Sequence, residues 1–120
     1  MDSEVVALRA TWRRAQSVQD FSAVGNLAVR VLEVLSDVVS DPQIARDRTK
    51  NRLMTYLDHC AGGSANGDLK QIASRAFDLA HGVKHDRQPT RMKAGSAASA
   101  AIMVVSIVRI ASDCAGAGPS

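Results

Sequence analysis

The segment of residues 20–40 constrains the fold of this chain more than any other part of the sequence. Its apolar side chains recur at intervals of three and four residues, the spacing that places them on one face of an α-helix. No segment with the alternating pattern of a β-strand competes with it. The sequence therefore predicts a long helix at the centre of an all-α core. Its apolar positions are Val24, Leu27, Ala28, Val31, Leu32, Leu35, Val38 and Val39.

Capping and breaking residues predict four further helices around the central one. Asp41 and Pro42 supply a cap and a first-turn proline, and Pro89 ends the helix that precedes it. A chain of 120 residues is long enough for one core. We therefore expect a single-domain all-α bundle of about five helices over residues 1–114, followed by a frayed tail at 115–120. The four further helices are predicted at residues 3–16, 41–60, 68–85 and 90–114.

The first and last of these helices differ in how much of their surface they should bury. The last one is apolar nearly all round, so we expect it to be buried on two sides, within the bundle or against a second copy.

After the first helix, residues 17–20 form a short break with the character of a capping box. In the first helix the expected apolar positions are Val6, Leu8, Trp12 and Ala15.

The composition argues against three classes of protein: base-stacking, secreted and membrane-spanning. Aromatic side chains are 3% of the chain, so a base-stacking platform for single-stranded nucleic acid is not expected. The acidic start, residues 1–4, leads into no long apolar block, which argues against a secretory signal. The longest apolar run, residues 101–105 with 107 and 108, is short of the ~20 residues that span a bilayer. We expect a soluble, cytoplasmic protein with no membrane partner.

The predicted fourth helix carries the most chemically suggestive residues. At ~100° per residue, Arg75, Asp78, His81 and His85 fall within an arc of about 120°, here called the polar arc. Imidazole can move the proton of a ribose hydroxyl or leaving group, and guanidinium stabilises charge growing on phosphate. Asp78 could orient the arginine or a histidine, and Gly82 leaves the face open to close approach. The opposite side carries Leu69, Ile72, Ala76, Leu79, Ala80 and Val83.

Two other interpretations of the polar arc remain open. Every amphipathic helix has a polar face, and Gly82 could cap a helix that ends there, which would remove His85 from the arc. A metal site would use His81 and His85, four residues apart, but only Asp78 is a ready third ligand and no glutamate follows His81. We therefore expect no metal and no cofactor.

Basic side chains continue beyond the polar arc. The net charge of +3 for the whole chain equals the excess carried by residues 84–93 alone. A basic stretch beside histidines favours contact with nucleic-acid phosphates. A second run, Arg46, Arg48, Lys50 and Arg52, is more typical of a solvated helix face, with non-specific DNA binding as the lowest-ranked alternative. The predicted nucleic-acid-binding residues are Lys84, Arg87, Arg91 and Lys93.

These features together resemble the HEPN superfamily of small all-α domains. The resemblance rests on residues 30–33 in a long apolar helix, on residues 78–85, on the basic loop, and on the Ala-rich last helix, and it covers about residues 24–111. Members are often metal-independent ribonucleases that act as toxins or in defence against phage. They commonly dimerise so that the motif of each copy lines a shared cleft. The resemblance implies RNA or nucleotide as the ligand and a homodimer as the assembly.

The superfamily motif, an arginine followed after four to six residues by a histidine, fits this sequence in two alignments. One pairs Arg75 with His81, with five residues between them. The other, which matches residues 78–85 better, uses His85 and places Ala80 where the arginine would stand. The first implies an endoribonuclease with Arg75, Asp78, His81 and His85 as catalytic residues. The second leaves catalysis open. The alternative function, indicated by the apolar last helix, is a non-catalytic helical interaction module, antitoxin-like or an accessory subunit, that dimerises or docks through that helix.

Overall fold

Helices form every regular element in the part of the chain that the structure describes. The computed structural model describes residues 2–39, 49–60 and 66–116. Over these ranges the chain forms five α-helices and no strand, so the predicted all-α bundle is confirmed. The helices are α1 (Asp2–Arg14), α2 (Val18–Val39), α3 (Thr49–Cys60), α4 (Asn66–His85) and α5 (Arg91–Gly116).

Helix α2 is the centre of the bundle, as its periodicity predicts. It contacts each of the other four helices, and its apolar face is buried from Val24 to Leu35. Val38 is 67% exposed because it lies in the last turn, on the side away from the packed face. Gly25 is also buried, because α4 lies directly against the α2 backbone at this position. The absence of a side chain at Gly25 therefore sets the distance between the two helices.

Helix α1 runs antiparallel to α5, and α2 runs antiparallel to α4, so several helix ends meet at each end of the bundle. At one end, Arg91 Nη1 at the start of α5 donates to the Ala15 carbonyl just after α1, at 3.3 Å. At the other end, Arg109 of α5 pairs with Asp2 of α1. Gly25, in the first half of α2, lies against the last turn of α4. The ends of α1 and α4 and the starts of α2 and α5 thus lie on the same side.

Helix α3 packs toward the opposite end. The hydroxyl groups of Tyr56 in α3 and Ser112 in α5 share a hydrogen bond. Lys70 Nζ, near the start of α4, donates to Asp58 of α3 at 2.9 Å. The α3 contacts therefore leave the end with the polar arc uncovered.

The helix boundaries follow local hydrogen bonding. The capping box at residues 17–20 is present: Ser17 Oγ accepts from the Asp20 amide at 3.1 Å, and Asp20 Oδ2 accepts from the Gln16 and Ser17 amides. Those amide donors lower the pKa of Asp20. Because the cap is Ser17, α2 begins at Val18 rather than at residue 20. Helix α4 continues through Gly82 to His85, so its predicted end at residue 85 is confirmed and the alternative in which Gly82 caps the helix is excluded.

Other predicted boundaries are met in part. Helix α4 begins at Asn66, two residues before the predicted start at Asp68. Helix α5 extends to Gly116, two residues past its predicted end, and residues 117–120 lie outside the described residues. The predicted cap at Asp41 and Pro42 and most of the predicted loop at 61–67 also lie outside them. The described part of α3 begins at Thr49.

The burial predicted from periodicity is wrong at a few apolar residues. Val6 is 64% exposed and Val5 is buried instead, because α1 turns a slightly different face toward α2 and α5. Ile72 on α4 was expected on the core side, yet 40% of it is exposed. Helix α5 packs against all four other helices but keeps an exposed stripe. That stripe contains Met92, Met103 and Ile110.

Helix α5 also has the length and composition of a membrane-crossing segment. Residues Arg91–Asp113 pass that test, although the uninterrupted apolar run is short. The core helix of a soluble protein passes the same test, and 44% of the most apolar window of α5 is buried inside the bundle. Burial within the chain thus accounts for part of the apolar character of α5.

Replacement by alanine should change the free energy of unfolding in opposite directions at two glycines. A Cβ at Gly25 would lie 2.7 Å from Val83 Cγ1 and 2.8 Å from the Lys84 amide nitrogen, so Gly25→Ala should lower the free energy of unfolding by about 1–3 kcal/mol. A Cβ at Gly82 would meet nothing within 4 Å, so Gly82→Ala should raise it by about 0.5–1 kcal/mol. Urea unfolding of both variants measures the two effects. Equal shifts would contradict the close packing of α2 on α4.

Candidate functional site

The four residues of the polar arc lie on the solvent side of α4. Arg75, Asp78, His81 and His85 are all exposed, and none of them contributes to the core. The opposite face is deeply buried, as the helical period requires. The sequence prediction of one core face and one polar face is therefore confirmed for α4. The buried residues of α4 are Ala73, Ala76, Phe77, Ala80 and Val83.

The two histidines of the arc form a stacked pair. The ring centroids of His81 and His85 are 6.2 Å apart, and the ring planes differ by 9°. They come together because residues four apart on a helix lie one above the other on the same face. Among the described residues, neither ring takes part in a hydrogen bond or ion pair. Both imidazoles are therefore accessible to a ligand from solvent.

Arg75 and Asp78 form the second pair of the arc. Arg75 Nη1 lies 4.0 Å from Asp78 Oδ2, and both side chains are more than half exposed. Such a pair is weak, because both side chains are solvated. At 1.5 Å rise per residue, Arg75 lies about 15 Å along the helix axis from His85. The two pairs therefore occupy successive stretches of one face rather than surrounding one point.

The two alignments of the arginine and histidine motif place the arginine position differently, one at the buried Ala80 and the other at the exposed Arg75. The Ala80 side chain is completely buried beneath the polar arc. An arginine at this position would point into the core, so the alignment that uses His85 places no arginine on the exposed face. Arg75, which the other alignment pairs with His81, is exposed. Arg75 is thus the arginine of the arc that solvent can reach.

The predicted basic residues fall into two groups. Lys93 Nζ pairs with Asp86 at 3.2 Å, and Arg91 lies over the Trp12 ring at 4.8 Å from its centroid. The amide of Gln88 and then Lys93 lower the pKa of Asp86, so the partner of Lys93 is a carboxylate. Lys84 and Arg87 are exposed, and within the described ranges neither has an ion pair. Lys84 and Arg87 are therefore the more available phosphate contacts.

Two arginines that sequence reasoning missed lie at the same end. Arg13 and Arg14, in the last turn of α1, are exposed and sit next to Ala15, which Arg91 contacts. Their position in a basic last turn was visible in the sequence, but only the antiparallel packing of α1 and α5 shows that they lie at the end of the bundle where α4 ends and α5 begins. We name these side chains the basic end: Arg13, Arg14, Lys84, Arg87, Arg91 and Lys93.

The basic end concentrates the positive charge of the molecule. Its six basic side chains face two acidic ones nearby, Asp20 and Asp86, which leaves a local charge of +4. The whole chain carries +3, so the remainder of the molecule is close to neutral. A local excess of this kind attracts polyanions beyond what net charge alone predicts.

Within the second basic run, the structure describes the side chain of Arg52. Arg46 and Arg48 lie outside the described residues, as does the side chain of Lys50. Arg52 Nη1 pairs with Asp37 at 2.7 Å, and its side chain is only 12% exposed. Arg52 is thus part of the α2–α3 packing rather than a DNA contact.

Other chemistries find little support at this site. Among residues 2–39, 49–60 and 66–116, no three histidine, cysteine, aspartate or glutamate side chains lie close enough to hold a metal ion.

No family model, no curated protein and no solved structure matches this chain. What the polar arc and the basic end can do therefore has to be argued from their geometry.

The exposed histidines should be dispensable for folding. Because both rings project into solvent, His81→Ala and His85→Ala should each change the free energy of unfolding by no more than about 0.5 kcal/mol. Phe77→Ala, which empties a fully buried position on the same helix, should cost about 3–5 kcal/mol. Urea unfolding of the three variants tests this contrast. A large loss in either histidine variant would assign that ring a structural role.

Proposed function

We propose that this protein binds RNA at its basic end and presents the polar arc of α4 to the bound strand, in the manner of a HEPN-like domain. The observation that carries the proposal is the stacked pair of His81 and His85, exposed beside a local charge of +4. Phosphate neutralisation by lysine and arginine supplies most of the affinity of such contacts. The proposed site is in a cytoplasmic protein, with RNA or a nucleotide as its ligand.

The same pair supports a proposed reaction, metal-independent cleavage of RNA. Cleavage needs a base that takes the proton of the ribose 2′-hydroxyl and an acid that protonates the departing 5′-oxygen. His81 and His85, one helical turn apart, supply one imidazole for each role. The O2′–P bond forms as the P–O5′ bond breaks, leaving a 2′,3′-cyclic phosphate and a free 5′-hydroxyl. Arg75 would stabilise the charge on the phosphoryl oxygens, with Asp78 orienting it.

The resemblance to HEPN domains bears on this reaction through Ala80 and Arg75. With Ala80 in the core, the cleavage mechanism depends on Arg75, which is exposed on the same face of α4 as His81 and lies about 9 Å before it along the helix axis. RNA binding does not depend on the arginine motif, because it uses the basic end. Binding and cleavage are therefore separable parts of the proposal.

Cleavage and binding are tested together on one RNA. A single-stranded RNA incubated in chelator should be cut to 2′,3′-cyclic phosphate products, and the His81→Ala, His85→Ala double variant should be at least about 100-fold slower. Fluorescence anisotropy of labelled RNA should show similar affinity for both proteins, because the basic end is unchanged.

The matched control is His59→Ala. His59 is an exposed histidine on α3, away from the basic end, and its loss should leave both cleavage and binding unchanged. Equal cleavage by the double variant, or none by either protein, would remove the enzymatic part of the proposal. If the native protein binds no RNA, the whole proposed function is contradicted.

A second candidate function, an interaction module, is favoured by an apolar groove between α4 and α5. The groove has a volume of about 510 Å³, and Arg75 lies among its lining residues. Ile72 is 40% and Met103 is 49% exposed there. We propose that a second copy of this chain covers the groove, which would bring one Arg75 from each copy to the interface. Ile72, Leu79, Ala100 and Met103 form its apolar lining.

The homodimer makes a direct prediction for light scattering. The native protein should have the mass of a dimer, and Met103→Glu should convert it to a monomer because a charge would be buried at the interface. Val6→Glu, at a similarly exposed valine on α1, should remain dimeric. A native protein that is monomeric at high concentration would exclude the second copy as the occupant of the groove.

A further inference from the structure

A second groove lies between α1 and α5, at the same end of the bundle as the basic side chains. It has a volume of about 630 Å³ and opens to solvent. It combines an indole, a guanidinium and two hydroxyl groups, none of which belongs to the polar arc. We call it the Trp12 groove; it is lined by Trp12, Arg91, Met92, Gly95, Ser96 and Ser99.

The aromatic wall of this groove is held in place by backbone packing. Trp12 is the only tryptophan of the chain, and its side chain is half-buried. A Cβ at Gly95 would lie 2.7 Å from the Trp12 ring, so the ring rests directly on the α5 backbone. The indole is therefore fixed before any ligand arrives, which reduces the entropy that binding would cost.

Arg91 is held just as firmly on the other side. Its guanidinium carbon lies 4.8 Å from the centre of the Trp12 ring, and its Nη1 donates to the Ala15 carbonyl at 3.3 Å. Despite both contacts, the Arg91 side chain is exposed. The result is an indole and a guanidinium held together at the groove, with the positive charge of the guanidinium exposed to solvent.

The chemistry that fits this groove is a planar ring joined to an anion, and a nucleotide carries both. We infer that the Trp12 groove takes one unpaired base of a single-stranded RNA, an inference that rests on the proposed RNA binding at the basic end. Bases stack on aromatic rings and on arginine planes, and their edges accept or donate hydrogen bonds to hydroxyl groups. Ser96 and Ser99 supply those hydroxyls, and Met92, 82% exposed, lies at the rim.

The groove also sets which form of RNA the protein prefers. In a duplex the bases are stacked on their neighbours and paired at their edges, so none can enter the groove. Because the chain has few aromatic residues, the groove serves one base and not a continuous series. The protein should therefore prefer single-stranded RNA, with the strand anchored by one base and its phosphates running across the basic end.

The single tryptophan makes this inference measurable. Intrinsic fluorescence is recorded while the protein is titrated with a short oligoadenylate, with the same strand paired to oligouridylate, and with inorganic polyphosphate. Labelled-strand anisotropy measures RNA binding in parallel. The single strand should quench Trp12 more strongly than the duplex or the polyphosphate does at equal occupancy of the basic end, because an unpaired base is needed to enter the groove.

A groove-filling variant gives the second measurement. Ser96 is exposed, so Ser96→Leu should fold normally and fill the groove, lowering the affinity for the single strand roughly tenfold. Ser106→Leu, at an exposed serine on α5 outside the groove, is the matched control and should bind like the native protein.

Two failures would be distinguishable. If RNA binds by anisotropy but single strand and duplex quench Trp12 equally, or if Ser96→Leu binds the single strand like Ser106→Leu, the groove is not a base site and RNA binding at the basic end stands. If no RNA changes the anisotropy, the proposed function and the inference fail together.

Discussion

The close approach of α2 and α4 at Gly25 is the contact on which the rest of the structure depends. Here the two backbones pack without an intervening side chain, with Val83 and the Lys84 amide against the glycine. This contact sets the rotation of α4 in its last turns. It turns Ala80 and Val83 into the core and leaves the histidine pair in solvent. The exposure of the candidate site is thus a consequence of packing on its opposite side.

The basic end depends on a different feature, the antiparallel order of the helices. No single segment carries the local charge of +4, because its residues come from the end of α1, the end of α4, the loop after it and the start of α5. The Arg91 contacts with Ala15 and Trp12 join two of these segments. Charge on separate helix ends therefore acts as one surface for a polyanion, while the polar arc lies along one side of it.

Much of the fold could be predicted from periodicity, since a buried helix face leaves a direct trace in the sequence. The core face of α2 and the exposure of all four arc residues are examples. Periodicity fails where it must choose between adjacent apolar residues: Val5 and Val6 differ only in how α1 is rotated against its neighbours. It also overestimated the burial of Ile72, which lies beside a groove that α5 leaves open.

The site was less predictable because its parts come from distant segments. The arc lies on one helix and was visible, but the addition of Arg13 and Arg14 depends on tertiary packing. The Trp12 groove combines residues about eighty positions apart, so no local pattern indicates it. Composition argued against a base-stacking platform for single-stranded nucleic acid, but a low aromatic content does not exclude one aromatic ring held in place by a glycine and an arginine.

Gly25 and Gly95, where another helix or a ring packs on the backbone, restrict which residues a related chain can carry at these positions. Any related chain with the same α2–α4 contact has to keep a very small residue at position 25, whatever happens to its histidines. Positions 12 and 95 are coupled as well, because a large ring at one requires a missing side chain at the other. Position 82, which faces open space, carries no such restriction. Distant relatives could therefore be recognised by these packing positions even after the chemistry of the polar arc has changed.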